Sequence, residues 1–440
     1  MITKSSGQAL YEIAKRLIPG GTQLLSKRPE LFLPEQWPSY YSKAKGVDTW
    51  DLDGHKYIDM SVCGIGATVL GFADPDVDEA VCHAIANGSM ATLNCPEEVE
   101  LAELLCELHP WAEMVRYGRC GGESMAIAVR IARAKTKRDI VAFCGYHGWH
   151  DWYLAANLAA GDRLDGHLLP GLEPAGVPRA LSGTALPFHY NKIDELKAIV
   201  SASGNQLAAV IMEPVRDNEP ANGFLEEVRR IATDTGAVLI FDEVTSGWRL
   251  NTGGIHLRYG VTPDIAVFAK GMSNGYPMAA IIGKARVMEA AQTTFISSTY
   301  WTERIGLVAA LATIRKHRRC DVSTHLEEMG RLVQDGWRAA ASRTGLKVSV
   351  TGIAPLAHFS FAGYESGPAM HTLFVQMMLE RGFLARNSFY AMFAHQRHHV
   401  TAYLVAVNEA FDQIAAAEAK GGVAALLKGP VAHSGFRRLT

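Results

Sequence analysis

The stretch VTPDIAVFAKGMSNGYPMAAIIG, residues 261–283, places a single lysine between two apolar runs. The runs 265–269 and 279–283 are short, rich in β-branched residues and bounded by glycine, asparagine and proline, so they predict two buried strands. Lys270 follows the first run directly. A lysine at a strand end is usually solvated, but in a cleft of low dielectric its amine loses a proton readily and becomes a nucleophile for a Schiff base.

Similar apolar runs precede this stretch, with helical segments between them. DIVAFC (139–144), QLAAVIM (206–212) and AVLIF (237–241) read as strands. The segments IDELKAIVSAS and FLEEVRRIATDTG repeat their apolar residues three and four positions apart, which is typical of helices. Strands that alternate with helices predict an α/β fold with a mainly parallel sheet covered on both faces. Ligands of such sheets bind beyond the carboxyl ends of the strands.

Acidic residues stand at these predicted strand ends. Asp242 and Glu243 follow AVLIF, and Glu213 follows AAVIM. One interpretation is that these carboxylates cap the segments that follow, since acids favour helix starts. The other is that they share a site with Lys270, because the carboxyl ends of parallel strands meet at one edge.

A glycine pair marks a candidate phosphate site. Gly121 and Gly122 in RCGGESMAIAVRIARAKTK immediately precede a predicted helix. Two glycines let the backbone approach an anion closely, and the free N–H groups of the helix terminus hold it. The chain has no GxxxxGK[ST] motif, and CGIGATVLG (63–71) lacks the third glycine of the dinucleotide fingerprint, which disfavours nucleotide hydride chemistry. A phosphate cradle, an acid and a lysine together fit pyridoxal phosphate, whose ring nitrogen needs an acidic partner.

Composition supports a small-molecule enzyme. The 440 residues are 48% hydrophobic and carry a formal charge of -2, which gives no electrostatic reason to expect a nucleic acid or a membrane surface as partner. The N-terminus lacks the apolar core of a signal peptide, and no stretch approaches the roughly 18 apolar residues of a membrane span. Seven cysteines without a CxxC pair suggest reduced thiols. We therefore expect a cytoplasmic protein.

Six segments in a fixed order carry a resemblance to a known family. They are IPGG (18–21), VDTWDLDGHKYIDM (47–60), YHG (146–148), EPV (213–215), FDEVTSGWR (241–249) and GVTPDIAVFAKGMSNGYPMAAIIG (260–283). The chain resembles the class III aminotransferases, in the branch of glutamate-1-semialdehyde 2,1-aminomutase. The resemblance implies a fold-type I pyridoxal phosphate enzyme with a mixed, mainly parallel seven-stranded sheet in a large domain and a small α+β domain. We expect the large domain at 60–300, and the small domain at 301–440 joined by the N-terminal segment 1–59.

The resemblance also implies roles for individual residues. Lys270 corresponds to the Schiff-base lysine and Asp242 to the partner of the ring nitrogen, in agreement with the interpretation of the strand ends. Tyr146 corresponds to the aromatic that stacks on the ring, and Val244 to the residue that covers its other face. The remaining cofactor-binding positions implied are Gly121, Gly122, His147, Glu213, Asn218 near the ring hydroxyl, and Thr299. Thr299 matches a threonine that reaches the phosphate of the neighbouring subunit, which implies a homodimer with shared active sites.

The chain departs from the family at the expected phosphate and substrate positions. RCGGES replaces NSGTEA, so Gly122 stands where the family has a phosphate-binding threonine. The arginine expected to hold a substrate carboxylate is displaced to Lys27 or Arg28. Arg386 lies in a C-terminal stretch, with Asn387, Ser388 and Tyr390, whose polar groups suit a polar acceptor such as a keto or aldehyde sugar. These departures predict a changed substrate.

The expected activity is transfer of an amino group from a small-molecule donor, such as glutamate, to a keto or aldehyde acceptor. A 1,2-amino shift within one substrate is the close alternative. Two further hypotheses are a racemase or epimerase, and a regulatory protein that binds the cofactor without turnover; the intact lysine argues against the second. A metal site at His395, His398 and His399 is disfavoured, because no acidic or cysteine partner lies nearby in sequence. We expect no metal.

Overall fold

The computed structural model describes residues 5–167, 170–215 and 217–435, which form two compact units. The large unit is Pro75–Thr324, and the small unit combines Met1–Asp74 with His325–Thr440. The expected domain limits near residues 60 and 300 therefore shift to 75 and 325. The second shift has a clear cause, since the helix Arg304–Arg319 packs against the helix Pro75–Ala86 and belongs to the large unit.

The large unit alternates strands and helices as the apolar periodicity predicts. Its strands are β4 (Met114–Gly118), β5 (Ile140–Cys144), β6 (Ala185–Pro187), β7 (Leu207–Met212), β8 (Val238–Asp242), β9 (Ile265–Phe268) and β10 (Ala279–Gly283). Its helices are α2 (Pro75–Ala86), α3 (Glu97–Leu108), α4 (Gly121–Thr136), α5 (Asp151–Leu154), α6 (Ile193–Ser203), α7 (Phe224–Thr235), α8 (His256–Tyr259), α9 (Ala285–Met288) and α10 (Arg304–Arg319). Helix α7 ends at Gly236, which adopts the left-handed φ of 68° that a helix C-terminus favours.

The seven strands form one sheet in the order β4-β10-β9-β8-β7-β5-β6. Strands β5 to β9 pair in parallel, and β10 runs antiparallel to both β9 and β4. Every strand except β10 therefore points the same way, so the ends of β4, β5, β7, β8 and β9 lie at one edge. The predicted fold class, a mixed and mainly parallel seven-stranded sheet, is confirmed.

Each face of this sheet is buried under helices, which explains the nearly continuous apolar strands. Along β7, Ala209 and Ile211 join the core cluster that contains helix α4, whereas Val210 and Met212 join the cluster that contains α7. The side chains of β8 divide in the same way, as the two-residue period of a strand requires. Burial on both faces fixes the sheet, and with it the edge where the polar residues stand.

The small unit is built around two small sheets. Its strands are β1 (Tyr41–Lys45), β2 (Asp48–Asp51), β3 (Lys56–Met60), β11 (Val348–Thr351), β12 (Leu356–Phe361), β13 (Phe383–Ala385) and β14 (Ser388–Tyr390), and its helices are α1 (Ser6–Leu17), most of α11 (Val322–Thr344), α12 (Gly367–Glu380) and α13 (Arg397–Glu418). Strand β13 pairs in parallel with β3, so the N-terminal segment and the C-terminal part share one sheet. Among the described residues, no helix is both long and apolar enough to span a bilayer.

Candidate active site

Five strand ends of the large unit bring the candidate residues to one edge of the sheet. Strand β8 ends at Asp242, and Lys270 follows β9 after one residue. Strand β5 leads into the segment 145–148, strand β7 into Glu213, and strand β4 into the glycine pair. The edge is the location where ligands of parallel α/β sheets bind.

Asp242 is held in place by two hydrogen bonds. His147 Nδ1 donates to Asp242 Oδ2 at 2.8 Å, and the backbone N–H of Val244 donates to Oδ1 at 3.0 Å. Both side chains are buried, at 1% exposure for His147 and 3% for Asp242. His147 Nε2 lies 3.1 Å from the carbonyl oxygen of Cys144, so both ring nitrogens face acceptors. These two contacts fix the orientation of the imidazole ring and of the Asp242 carboxyl group.

The position of Lys270 is fixed by its backbone conformation and by a hydrogen bond of its amine. Its φ of 46° lies in the left-handed region, which a side chain with a Cβ rarely adopts. Strain of this kind, of order 1–3 kcal/mol, is concentrated at functional sites in proteins. The amine donates to Thr245 Oγ1 at 2.8 Å, and Thr245 stands three residues after Asp242. The loop that follows β8 therefore links the acid and the lysine.

The glycine pair forms a close-packed cradle at the start of α4. A Cβ on Gly121 would lie 2.8 Å from Val244 Cγ1, so only glycine fits there. Gly148 has a φ of 102°, and a Cβ on it would lie 2.7 Å from Gly122 Cα. The glycines let the start of α4 approach both the loop after β8 and the segment 145–148. Glu123 accepts a hydrogen bond from the Arg119 N–H at 2.7 Å, which fixes the turn that leads into the helix.

Tyr146 and Glu213 meet above the end of β5. The Tyr146 N–H donates to Glu213 Oε2 at 3.3 Å, and Glu213 is 9% exposed. The Tyr146 side chain is 39% exposed, and its ring meets the ring of Tyr153 edge-on at 6.1 Å. An aromatic ring that stands at the edge and remains accessible suits stacking on a planar ligand.

Asn218 and Thr299 lie at the surface of the large unit. Both side chains are exposed, and Thr299 begins a short 3-10 turn that ends at Thr302. Arg119 donates to the carbonyl oxygens of Trp301 at 3.0 Å and Glu303 at 2.7 Å. The turn is thus attached to the residue that precedes the cradle.

The acid beside Asp242 has a different environment. Glu243 is completely buried and accepts four hydrogen bonds: from the backbone of Ile255 and of His256, from Ser246 Oγ, and from His256 Nδ1 at 2.7 Å. Burial alone would raise the pKa of Glu243, but the hydrogen bonds that it accepts from His256 and from the backbone of Ile255 outweigh burial and lower the pKa. The capping interpretation is correct for this residue. The sequence analysis did not predict this pair. Its only signal in the sequence is a histidine 13 positions after Glu243.

The three basic residues expected to contact substrate lie in the small unit. Lys27 is exposed and Arg28 is half-buried, both in the turns that follow α1. Arg386 is half-buried after β13, with its guanidinium carbon 5.1 Å from the centre of the Phe32 ring. Burial lowers the pKa of this guanidinium below its usual value.

The polar neighbours of Arg386 are engaged inside the small unit. Asn387 Nδ2 donates to the carbonyl oxygen of Phe359 at 3.2 Å, and Ser388 Oγ lies 2.8 Å from His358 Nδ1. Tyr390 is only 6% exposed. Asn387 and Ser388 already use their polar groups inside the small sheet. The expectation that this stretch offers hydrogen bonds to an acceptor therefore rests mainly on Arg386.

His395 has a structural environment rather than a ligand-like one. Its Nδ1 accepts from the Met392 N–H at 2.9 Å, and its Nε2 lies 2.9 Å from the carbonyl oxygen of Asp59. Burial lowers the pKa of His395 to about 4, so the ring is neutral. A different trio in the small unit, Asp51, Asp53 and His55, has ligand atoms within 4.8 Å of one another. The Asp51 carboxylate already accepts hydrogen bonds from the backbone of Asp53 and His55, as expected of a turn.

The residues at the large-unit edge fit pyridoxal phosphate. A helix start with close-packed glycines suits the phosphate, the buried carboxyl group of Asp242 suits a protonated ring nitrogen, and Lys270 has the amine. Tyr146 and Val244 stand on segments that flank the cradle. The site therefore contains each group that the cofactor requires.

Comparison with known proteins gives the same result. The family model "Aminotransferase class-III" matches residues 34–386. A 3-aminobutyryl-CoA aminotransferase of Cloacimonas acidaminovorans is 34% identical, over 82% of this chain and 84% of that protein. A glutamate-1-semialdehyde 2,1-aminomutase of Syntrophobacter fumaroxidans is 33% identical over 90% and 94% of the two chains. A 2'-deamino-2'-hydroxyneamine transaminase of Streptomyces kanamyceticus is 29% identical over 76% and 80%.

A solved structure extends the similarity to the fold. The FumI protein of Sphingopyxis sp. MTA144, in its pyridoxal phosphate form, superimposes with a TM-score of 0.84 at 25% identity and covers 94% of this chain and 97% of that one. With its seven-stranded sheet, its strand-end lysine and this match over most of its length, the chain belongs to the class III aminotransferase family and is a pyridoxal phosphate-dependent enzyme.

Proposed function

We propose that the protein is a two-substrate aminotransferase that takes an amino group from an amino acid such as glutamate and delivers it to a polar keto or aldehyde acceptor. The observation that carries the proposal is the meeting of Lys270, Asp242 and the glycine cradle at one sheet edge. Membership of the class III family supplies the reaction type.

The residues of the large unit divide the work of binding the cofactor. When bound, pyridoxal phosphate supplies an electrophilic carbon and an electron sink. The backbone N–H groups at Gly121 and Gly122 would hold the phosphate, Tyr146 and Val244 would enclose the ring, and Asp242 would keep the ring nitrogen protonated. His147 holds the Asp242 carboxylate at 2.8 Å and so fixes its orientation. Glu213 and Asn218 complete the set on the side of β7.

Lys270 acts as both attachment point and proton carrier. The Lys270 amine would hold the cofactor, and the same amine, once free, would accept a proton from the substrate carbon. The left-handed backbone at Lys270 fixes the direction of the side chain in both steps. Thr245 accepts the amine hydrogen bond on the inner side of the site.

Arg386, Lys27 and Arg28 are the candidates for binding the substrate carboxylate. Arg386 is the strongest of them, because a half-buried guanidinium packed on an aromatic ring is rigid and keeps its charge. A planar guanidinium binds a carboxylate with two parallel hydrogen bonds. Amino-acid donors such as glutamate carry this group.

The active form is proposed to be a homodimer with shared sites. Trp149 is 70% exposed, Phe295 89% and Tyr300 69%. Trp149 lies beside Gly122 at the start of α4, Phe295 lies on the segment that leads to Thr299, and Tyr300 follows Thr299 directly. Large exposed aromatics grouped in this way are typical of a protein interface. In the dimer, Thr299 would contact the phosphate held by the partner subunit.

One relative favours a polar acceptor over other substrates. The transaminase of Streptomyces kanamyceticus is named for an aminoglycoside, which supports a sugar-like acceptor in a pathway that makes a specialised amine. The aminomutase relatives keep the internal amino shift as the second candidate. All seven cysteines are free thiols, which supports a reducing cytoplasmic compartment.

The decisive experiment separates transfer from internal shift. L-glutamate alone is added to the yellow enzyme, and conversion of the cofactor to its amine form with release of 2-oxoglutarate is followed by absorbance and mass spectrometry. We expect this half-reaction with glutamate or another amino donor. If no donor gives it while glutamate-1-semialdehyde is converted to 5-aminolevulinate, the shift is the activity. A change of configuration at the α-carbon without transfer of the amino group would instead show an epimerase.

Attachment at Lys270 is tested by borohydride reduction. We expect the reduced cofactor on the peptide that contains Lys270, and no reducible link in Lys270→Ala, with unchanged circular dichroism. A reduced cofactor on Lys284 or any other lysine would overturn the assignment. A holoprotein that binds the cofactor at Lys270 and turns over no donor would support the regulatory alternative.

A further inference from the structure

The hydroxyl of Thr245 is the group that the structure places against the Lys270 amine. Lys270 Nζ lies 2.8 Å from Thr245 Oγ1, and Thr245 is only 4% exposed. A hydroxyl accepts a hydrogen bond from an amine through either of its lone pairs, so it directs the amine without a charge of its own. Neither the strand-end pattern nor the segments that carry the family resemblance assigns a role to this residue.

The backbone around Thr245 is fixed by hydrogen bonds that do not involve Lys270. Arg249 Nε donates to the Thr245 carbonyl oxygen at 3.2 Å, and Arg249 is 1% exposed. The Gly247 N–H donates to the Glu243 carbonyl oxygen at 2.9 Å, which closes a turn around Thr245. The hydroxyl therefore has a defined position before any ligand arrives.

A buried network holds the ends of this loop. Trp111 Nε1 donates to His256 Nε2 at 2.9 Å, so the remaining ring proton of His256 lies on Nδ1 and is donated to Glu243. The loop between Glu243 and His256 is thus closed by a buried acid at one end and a buried histidine at the other. Thr245 lies inside it.

A second histidine holds the far end of the same loop. The Gly254 N–H donates to His109 Nε2 at 2.9 Å, and His109 Nδ1 then donates to the Leu105 carbonyl oxygen at 2.9 Å. Burial lowers the pKa of His109 to about 4, so the ring stays neutral through the working pH range.

We propose that Thr245 is a positioning residue that holds the Lys270 amine in the direction from which it attacks a carbonyl carbon. The proposal rests on the proposed function, because it gives Lys270 the Schiff-base role. In the step concerned, the amine nitrogen bonds to the carbonyl carbon of an aldehyde, and the carbonyl oxygen leaves as water with the two amine protons. The hydroxyl directs the amine, and the hydrogen-bonded loop between Glu243 and His256 fixes the position of the hydroxyl.

The test uses the full chain freed of cofactor, with pyridoxal phosphate as the probe. The rate of Schiff-base formation is measured by absorbance as a function of pH for the wild type, Thr245→Val and Thr245→Ser. Valine keeps the shape and removes the hydroxyl, whereas serine keeps the hydroxyl. We expect the limiting rate at high pH, where the amine is neutral in every variant, to fall about tenfold in Thr245→Val, as for the loss of one hydrogen bond. Serine should restore the rate to within about threefold.

The pH profile distinguishes this role from a merely structural one. Loss of the acceptor removes a hydrogen bond that favours the charged amine, so the midpoint of the profile should move to lower pH in Thr245→Val. A slightly loosened loop would lower the rate and leave the midpoint in place. Wild-type rate and midpoint in Thr245→Val, or an equal loss in Thr245→Ser, would overturn the proposal.

Failure of the underlying function has a different signature. In Lys270→Ala the reaction should disappear, with the melting temperature retained. If the adduct forms at another lysine in the wild type, the proposed function fails. If it forms at Lys270 and the threonine variants behave like the wild type, only the role of Thr245 fails.

Discussion

At the scale of single residues, Asp242 is held at the strand end by its own partners. Its carboxyl group is buried and is bonded to a histidine that faces acceptors with both nitrogens. A buried polar group of this kind needs hydrogen-bonded partners. Under the proposed function, the charge of this carboxylate would stabilise a protonated ring nitrogen.

Replacing Asp242 with Asn removes that charge with little change in shape. We expect kcat to fall by roughly 10²- to 10³-fold, because removal of one electrostatic stabiliser has effects of this size. The cofactor dissociation constant should change far less, since the phosphate cradle is intact. Turnover with saturating cofactor and a binding titration give the two numbers. Asp194→Asn, an exposed acid of α6, is the control and should resemble the wild type. Near-normal turnover in Asp242→Asn would mean that Asp242 only caps the segment that follows β8.

At the scale of elements, the start of α4 is a cradle whose two glycines differ. A Cβ on Gly121 would meet Val244 at 2.8 Å, whereas a Cβ on Gly122 has its nearest neighbour at an ordinary 3.4 Å from Gly148 Cα. The position where the family has a threonine can therefore accept a side chain. The first glycine cannot be replaced without movement of the loop after β8.

Gly122→Thr should tighten cofactor binding. A threonine adds one hydrogen bond to a charged phosphate, which contributes about 1.5 to 3 kcal/mol, so the dissociation constant should fall at least tenfold. Gly121→Ala should raise it, because the loop that carries Asp242 is displaced. Gly122→Ala separates the hydroxyl from the added Cβ and should bind as the wild type does. Equilibrium dialysis measures all three, and weaker binding in Gly122→Thr would contradict this account of the cradle.

The opposite edge of the sheet depends on another buried acid. Asp264 precedes β9 and accepts from Arg229, Lys284 and Arg286, and from the Leu239 N–H at 3.0 Å. Burial alone would raise the pKa of Asp264, but the charge of Arg229 and these hydrogen bonds lower it. A carboxyl group whose folded pKa lies below its unfolded value stabilises the protein above the unfolded pKa, about 3.9, and loses this effect as the pH falls through the folded pKa.

Asp264→Asn should therefore destabilise the protein at neutral pH and much less in acid. We expect a loss of about 3 kcal/mol in the free energy of unfolding at pH 7, as for a buried ion pair that loses one partner. The difference from the wild type should shrink below about pH 4. Asp234→Asn removes an exposed pair with Arg230 and should cost less than about 1 kcal/mol. Urea unfolding at several pH values checks both, and a pH-independent difference would contradict the linkage.

At the scale of the whole molecule, we expect a dimer with sites that draw on both subunits. Phe295→Glu should shift the protein towards monomer in sedimentation velocity, because a charge replaces an aromatic that is 89% exposed in one chain. Val405→Glu, at an exposed position of α13 in the small unit, is the control. A wild-type protein that is a fully active monomer would exclude the shared site.

Complementation identifies the subunit on which Thr299 acts. Thr299→Val should raise the cofactor dissociation constant about tenfold, as for one hydrogen bond to a charged group. In a mixed dimer with Lys270→Ala, a Thr299 that acts across the interface leaves one site with both an intact lysine and an intact threonine. That site should bind cofactor with wild-type affinity. Weak binding at the only lysine-bearing site would mean that Thr299 acts within its own subunit.

The sequence by itself determined the fold class and most positions at the sheet edge. Apolar runs of strand length and helical spacing are local properties, so β5, β7, β8, β9 and β10 begin and end within about a residue of the apolar runs that predict them. Parallel strands end at the same edge of a sheet, which is why the sequence alone predicts that Asp242 and Lys270 lie at one site. The phosphate cradle, the acid and the lysine already indicated pyridoxal phosphate, and the family resemblance added the expected roles of Tyr146, Asn218 and Thr299.

Tertiary structure alone decided which partner each polar side chain takes. The partners of Asp242, Glu243 and Lys270 are His147, His256 and Thr245, and two of these three pairs join residues more than twenty positions apart. The neighbouring acids Asp242 and Glu243 look equivalent in the sequence, yet one turns to the site and the other closes a loop. Successive residues of a strand point to opposite faces, so only the packing on each face determines which partner each acid takes.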